Sequence, residues 1–177
     1  MGWKRVGTLP DLRGLVVVVA PHTSNWDFLI GILNAYALGV RRRWRFRFLA
    51  KESLFVWPIG PVLRRLGGVP VNRAAKGDVV TQIAQALKQD PRFFLAVTPE
   101  ATRKRAPYWK TGFYYIALET RAPMVPVAFD YGRKECRFGE PIVPSGDLQA
   151  DIEKFRAFYR GVQARRPELF GEIRVPS

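Results

Sequence analysis

The stretch from Leu15 to Asp27, LVVVVAPHTSNWD, decides the fold. Its first six residues are apolar and mostly β-branched, which is typical of a strand covered on both faces of a sheet. Pro21 ends this strand, and a helix is predicted from about Trp26 to Leu38, with Ser24 or Asn25 as its N-cap. The step from a buried strand directly into a helix indicates the first half of a βα unit.

Strands and helices alternate along the rest of the chain. Short apolar runs predict strands, and apolar residues at helical spacing predict helices. The predicted strands lie at 45–50, 69–72, 93–98 and 124–129, with a short one near residue 136; the predicted helices lie at 53–66 (broken by prolines), 78–88, 111–120 and 147–164. This alternation favours an α/β fold, in which a single domain over residues 1–177 has a largely parallel central sheet flanked by helices.

The composition sets limits on the function. The chain has 177 residues, and its 29 Lys and Arg against 15 Asp and Glu give a net charge of +14. That charge favours an anionic partner such as lipid phosphate, nucleic acid or an acidic carrier protein. One cysteine excludes an internal disulfide, and one histidine excludes a multi-histidine metal centre. No metal is therefore expected.

The chain lacks a stretch that reads as a membrane-spanning helix. Its longest uncharged run, residues 28–40, has 13 residues, whereas a span needs about 18 or more. The first residues also lack an apolar segment of signal-peptide length. We therefore expect a cytoplasmic protein that is peripheral on the inner face of the membrane.

Polar clusters follow three of the predicted strands, at Pro21–Asp27, Asn72–Arg73 and Pro99–Arg105. In parallel sheets, functional residues gather just past the carboxyl ends of the strands. The last cluster combines an acid, a hydroxyl and three bases, which suits an anionic or hydroxyl-bearing ligand. The alternative for that cluster is a solvated, salt-bridged loop.

The first cluster contains the only imidazole of the protein, His22, five residues before Asp27. Histidine exchanges a proton near neutral pH, and a carboxylate can fix its tautomer and stabilise its charged form. On a continuous helix, five steps would place the two side chains about 140° apart. The pair can therefore meet only if His22 precedes the first regular turn and curls back. The alternative is a capping loop whose histidine is satisfied by a backbone carbonyl.

These clusters belong to a longer series of motifs that resembles the glycerolipid acyltransferases, the lysophosphatidate acyltransferase-like enzymes. The resemblance covers about residues 14–130 and rests on several ordered motifs. They are His22-x4-Asp27, Lys51-Glu52-Ser53-Leu54, Gly68 to Arg73 (GVPVNR), Pro99 to Arg103 (PEATR), Lys110-x-Gly112 and Val125-Pro126-Val127.

The resemblance implies transfer of a fatty acyl group from an acyl thioester, carried by coenzyme A or acyl carrier protein, to a hydroxyl of a lysophospholipid or related lyso-lipid. It makes His22 the general base and Asp27 the group that holds its imidazole. It implies no cofactor beyond the acyl donor. The residues it assigns to substrate binding are Lys51, Arg73, Glu100, Thr102 and Arg103.

The chain departs from the family pattern at Ala101, where the family has glycine, and at Ser53, which is inserted in the Lys-Glu-Leu motif. If the family glycine has a positive φ, alanine there is strained. Ala101 supports one alternative, a basic lipid-binding pseudoenzyme, whereas the net charge of +14 and the Arg-Trp-Arg-Phe-Arg stretch support another, a nucleic-acid-binding protein. No helix-turn-helix, zinc finger or RNA-stacking signature supports the second, and no nucleic acid is expected.

The segment Arg41–Arg47, RRRWRFR, interleaves five arginines with aromatic residues, and the apolar segment Leu54–Ile59 follows it closely. Cationic groups beside Trp and Phe suit an anionic membrane surface. About half of these apolar residues are expected in the core instead. The same charge could dock an acidic carrier protein or the phosphates of coenzyme A.

Overall fold

A central seven-stranded sheet organises the chain in a computed structural model, which describes residues 2–71, 79–90 and 92–176. Its strands are β1 (Lys4–Val6), β2 (Leu15–Val19), β3 (Arg45–Lys51), β4 (Gly68–Val71), β5 (Phe93–Val97), β6 (Met124–Asp130) and β7 (Glu135–Phe138). The helices are α1 (Asn25–Ala37), α2 (Val40–Arg43), α3 (Ile59–Arg65), α4 (Val79–Lys88), α5 (Gly112–Thr120) and α6 (Leu148–Tyr159), and short 3₁₀ turns lie at Glu52–Leu54 and Pro167–Leu169.

The strands are arranged in the order β1-β7-β6-β2-β5-β3-β4. Among the strands that the structure describes, β6 and β7 pair antiparallel and the other neighbours pair parallel. The predicted α/β fold with a largely parallel sheet is therefore confirmed. Because β2 lies between β5 and β6, the segments that follow these three strands meet at one edge of the sheet.

Each face of the sheet is covered by helices. The residues of β2 alternate between the two cores, and the first four are at most 3 % exposed. Val16 and Val18 pack with α5 and α6 on one side, whereas Leu15 and Val17 pack with α1 and α2 on the other. The β-branched run forms a central strand because both of its faces are buried.

Some predicted boundaries differ from the structure. The last helix was expected to reach Ala164, but it ends at Tyr159, where Arg160 leaves the helical region and Gly161 has a φ of 73°. The broken helix at 53–66 consists of a 3₁₀ turn followed by α3. Strand β1 was not predicted. The predicted ends at Asn72 and Asp78 lie outside the described residues.

Within the described ranges, every helix is too short or too polar to cross a bilayer.

Candidate active site

The loop between β2 and α1 brings His22 and Asp27 together. Helix α1 begins at Asn25, and Ser24 is its N-cap, since its hydroxyl accepts a hydrogen bond from the Trp26 N–H at 3.2 Å. His22 thus precedes the first helical turn. Its Nδ1 lies 3.6 Å from Oδ2 of Asp27, so the loop provides the curled geometry that this spacing requires.

The Asp27 carboxylate is held from two sides. Its Oδ2 accepts hydrogen bonds from the Thr23 and Ser24 N–H groups, each at 2.8 Å. Its Oδ1 accepts one from the Tyr131 hydroxyl at 2.6 Å. Only 2 % of Asp27 is exposed. Three donors hold this carboxylate in place, and the oxygen it turns toward His22 is the one anchored by the backbone.

Burial leaves His22 in its neutral form. Desolvation lowers the pKa of the imidazole, Asp27 opposes that effect, and the nearby Arg103 guanidinium adds to it. A neutral imidazole can accept a proton at neutral pH. With Nδ1 directed at Asp27, Nε2 is the ring nitrogen that can take this proton from a substrate.

The Glu100 carboxyl supports the same loop from the other side. Its Oε2 accepts a hydrogen bond from the His22 N–H at 2.7 Å, and it is 7 % exposed. Desolvation raises the pKa of Glu100 to about 8, with the Asp27 charge adding to the rise and the His22 N–H opposing it. The carboxyl is therefore mostly neutral at pH 7, so it adds little negative charge beside Asp27.

A cavity of about 950 Å³ opens beside His22. It lies between the sheet and the cover formed by α1 and α3, and its volume is at the upper end of ligand pockets. Its walls are mainly apolar and include Val17, Ile32, Phe46, Phe94 and Phe129. The charged groups that line it among the described residues, such as Lys51 and Arg103, lie near the carboxyl ends of the strands, and Asn34 adds a polar group from α1. The cavity therefore suits a long apolar chain with a polar end near His22.

The structure brings most of the predicted substrate-binding residues to this cavity. Lys51 at the end of β3 lines it, as do Thr102 and Arg103 in the loop after β5. The Glu100 carboxyl contacts the His22 backbone instead. Arg73 lies outside the described residues. Within the described part of the chain, no group of three or more acidic, histidine or cysteine side chains could hold a metal.

Ala101 keeps the backbone conformation that favours glycine. Its φ is 56°, and its N–H donates to the Thr98 carbonyl at 3.0 Å. An L-residue other than glycine costs about 1–2 kcal/mol in this left-handed region. The loop therefore retains its shape with alanine, at the expense of some stability.

Tyr131 was missed by the sequence reasoning. It follows β6, which pairs directly with β2, so its position places it beside the loop that carries His22. The same rule that selected the residues after β2 and β5 could have found it. It was missed because a single tyrosine after an apolar strand belongs to no recognisable motif.

A family model described as "Acyltransferase" matches residues 7–130. The matched segment contains the loop from His22 to Asp27, Lys51 and the loop from Glu100 to Arg103. No curated protein matches the chain.

Proposed function

The chain belongs to the acyltransferase family, as the motifs predicted, and from this premise we propose that it moves a fatty acyl group from an acyl thioester to a hydroxyl of a lysophospholipid or related lyso-lipid. The donor is acyl-CoA or acyl carrier protein, and no other cofactor is required. The observation that carries the proposal is the position of the His22 imidazole, whose Nδ1 lies 3.6 Å from the buried Asp27 carboxylate and which lines a large apolar cavity.

In the proposed reaction, His22 acts as a general base. Nε2 takes the proton of the acceptor hydroxyl while the hydroxyl oxygen attacks the thioester carbonyl. The new C–O bond forms, the C–S bond breaks, and the departing thiolate takes the proton from the imidazolium. Asp27, 3.6 Å from Nδ1, stabilises the transient positive charge. A positioned base of this kind contributes about 10²–10⁴ in rate.

The cavity provides the site for the acyl chain. Its aromatic and aliphatic walls exclude water, so burying a chain there is favourable by about 0.8 kcal/mol per methylene. Because His22 also lines the cavity, the reactive carbonyl of a bound chain would lie beside the base.

The cationic groups at the mouth suit the polar parts of the substrates. Lys51 and Arg103 are exposed and line the cavity. Their charges can bind the phosphate of an acceptor or stabilise the oxyanion of the thioester carbonyl. The Thr102 hydroxyl adds a hydrogen-bonding group at the same place. Arg73 is proposed to bind the same headgroup on the strength of its motif.

The outer side of the cavity cover is proposed to rest on an anionic membrane surface. We define this lipid face by nine of the exposed apolar residues of α1 and of segment 54–62: Trp26, Leu29, Leu33, Tyr36, Leu54, Val56, Trp57, Ile59 and Val62. Two of them, Leu54 and Ile59, also line the cavity. Trp57 is 85 % exposed. A large exposed apolar patch of this kind marks an interaction site.

The basic residues at the border of this face suit negatively charged lipids. The Arg41 guanidinium lies 5.8 Å from the centre of the Tyr36 ring and donates to the Arg65 carbonyl, so it joins α1 to α3. In contrast, Trp44, Phe46 and Phe48 are buried in the core. The arginines of the Arg41–Arg47 segment, rather than its aromatic rings, are therefore the groups proposed to meet the lipid, on the inner face of the membrane.

A thioester-release assay with several lyso-lipid acceptors tests the proposed chemistry. His22→Ala should lower kcat by about 10²–10⁴ while leaving the circular dichroism spectrum and the melting temperature unchanged, because the ring is at the cavity rather than in a packed core. In the unchanged protein, kcat/KM should fall on the acid side only below about pH 6.5, the ordinary pKa of histidine, since burial lowers the pKa of His22.

Two results would contradict the proposal. One is transfer at the normal rate by a folded His22→Ala protein. The other is binding of lyso-lipid and acyl thioester by the unchanged protein without any release of thiol, which would identify a pseudoenzyme. Arg160→Gln, on the opposite side of the sheet, serves as a control for preparation effects and should be fully active.

A further inference from the structure

Tyr131 lies just beyond the part of the chain that matches the family, residues 7–130. Its hydroxyl donates to Oδ1 of Asp27 at 2.6 Å, whereas the other carboxylate oxygen faces His22 and the backbone donors. The two oxygens of Asp27 therefore have different tasks. One is directed at the base, and the other is held by Tyr131.

The position of Tyr131 is itself fixed by several segments. Its N–H donates to the Gln163 carbonyl at 2.9 Å. Its ring packs edge-on against Trp3, with the centroids 5.1 Å apart. The Arg165 guanidinium lies 5.7 Å from the ring of Tyr131 and 5.5 Å from that of Trp26. The Tyr131 side chain is thus surrounded by three parts of the chain: the residues near its beginning, helix α1 and the segment after α6.

The segment after α6 also contacts the loop that carries His22, because the Arg166 N–H donates a hydrogen bond to the Thr23 hydroxyl at 3.3 Å. Burial and the neighbouring Asp27 raise the pKa of Tyr131, so the hydroxyl remains a donor at any working pH. The hydroxyl can therefore donate to Asp27 throughout the pH range in which the enzyme would work.

We infer that Tyr131 is a positioning residue for the proposed acyl transfer, and that its hydroxyl fixes the rotation of the Asp27 carboxylate so that Oδ2 stays directed at Nδ1 of His22. This inference rests on the proposed function of the His22–Asp27 pair. Tyr131 acts through Asp27 and is not among the residues that line the cavity. Its loss should therefore affect the chemical step and leave substrate binding unchanged.

The consequence of removing the hydroxyl follows from the contacts that remain. Without it, Oδ2 keeps its two backbone donors but Oδ1 is buried without that donor, and the carboxylate can rotate about its remaining anchor. A loosely held carboxylate supports the imidazolium less well. Tyr131→Phe removes one oxygen and preserves the ring, so the contacts with Trp3 and Arg165 persist.

The test is steady-state kinetics of Tyr131→Phe in the thioester-release assay. We expect kcat to fall about tenfold, as for the loss of a hydrogen bond to a charged group, with KM unchanged for both substrates. Tyr115→Phe, an exposed tyrosine on α5, is the matched control and should keep the normal kcat. An unchanged kcat in Tyr131→Phe, or a fall that comes with an equal change in KM, would overturn the inference.

A double-mutant cycle with Asp27→Asn shows whether Tyr131 acts through Asp27. If it does, adding Tyr131→Phe to Asp27→Asn should change kcat by less than about twofold. A further tenfold fall in that background would mean that Tyr131 acts by another route, and the inference would be wrong. Normal activity of Asp27→Asn itself would instead contradict the proposed function, so the two failures are distinguishable.

Discussion

The two faces of the sheet are built for different purposes. On the face covered by α4, α5 and α6, the Trp109 ring lies within 6.2 Å, centroid to centroid, of the rings of Phe113, Phe155 and Tyr159. On the face covered by α1, α2 and α3, the aromatic side chains border a cavity of about 950 Å³. One face fills its interior with side chains, and the other leaves a volume for a substrate.

The covering helices differ in the same way. Helix α6 is amphipathic: Ile152 and Phe155 are buried, and its outer residues Glu153 and Lys154 are charged. Helix α1 is apolar on the outside as well, with Leu33 50 % exposed. A helix that is apolar all round needs a second apolar environment. The packed face thus fills its interior with close ring contacts, whereas the cavity face leaves apolar side chains uncovered on both the inner and the outer side of its helical cover.

The two faces should differ most in the stability that is lost when an aromatic ring is removed from each. Phe155→Ala should lower the free energy of unfolding by about 3–5 kcal/mol, because it opens a hole in a close-packed core. Phe48→Ala should lower the free energy of unfolding clearly less, since the Phe48 ring already borders the cavity and its removal opens no new hole in a packed core. Urea denaturation followed by circular dichroism measures both. Equal losses would mean that the cavity face is packed as tightly as the other face in solution.

Filling the cavity should change the preferred acyl chain without weakening the fold. Ala35 lines the cavity. It lies about 15 Å along α1 from the first helical residue, Asn25, since an α-helix rises about 1.5 Å per residue. Ala35→Phe should therefore lower kcat/KM for a palmitoyl thioester at least about tenfold, because overpacking of an apolar site costs about 1–3 kcal/mol. The kcat/KM for the shorter octanoyl thioester should stay unchanged.

Leu33→Phe is the matched control for this change. It adds an aromatic ring to the exposed side of the same helix, so it should leave the chain-length preference unaltered. If Ala35→Phe lowered the rates for both thioesters equally, the acyl chain would not extend to this part of the cavity.

Local signals predicted the packed elements well. The β-branched run of β2 identified the central strand. The last helix, which was predicted to start at residue 147, begins at Leu148 with Asp147 as its N-cap, whose carboxylate accepts a hydrogen bond from the Ala150 N–H at 3.0 Å. The early end of that helix has a local cause that was overlooked, since Gly161 with its positive φ is a typical stop signal. These features depend on neighbouring residues, and the sequence displays them directly.

The site could be predicted only in part, because its decisive contacts join distant segments. The loop that holds His22 and Asp27 could be predicted from the six consecutive residues 22–27, which include its helix cap. The hydrogen bond from His22 to Glu100 spans 78 residues, and that from Tyr131 to Asp27 spans 104. No local pattern encodes such pairs. The cavity could not be predicted either, because an unfilled volume depends on how all of the surrounding side chains pack.

Basic residues on the outer surfaces of the two helical covers should differ modestly in how much they contribute to lipid binding. Arg41 borders the lipid face, whereas Arg160 lies at the end of α6 on the packed face. One basic group near an anionic surface contributes about 1 kcal/mol, which corresponds to about fivefold in affinity. Arg41→Gln should therefore weaken binding to vesicles of phosphatidylglycerol and phosphatidylcholine about fivefold, and Arg160→Gln should not.

Vesicle co-sedimentation at two salt concentrations measures this difference. Because the effect is electrostatic, it should shrink at high salt and vanish with vesicles of pure phosphatidylcholine. Equal weakening by both substitutions would mean that the net charge of +14, rather than a particular face, attracts the membrane. In that case the apolar outer surface of α1 would need another partner, and the proposed orientation, with the cavity cover against the lipid, would be wrong.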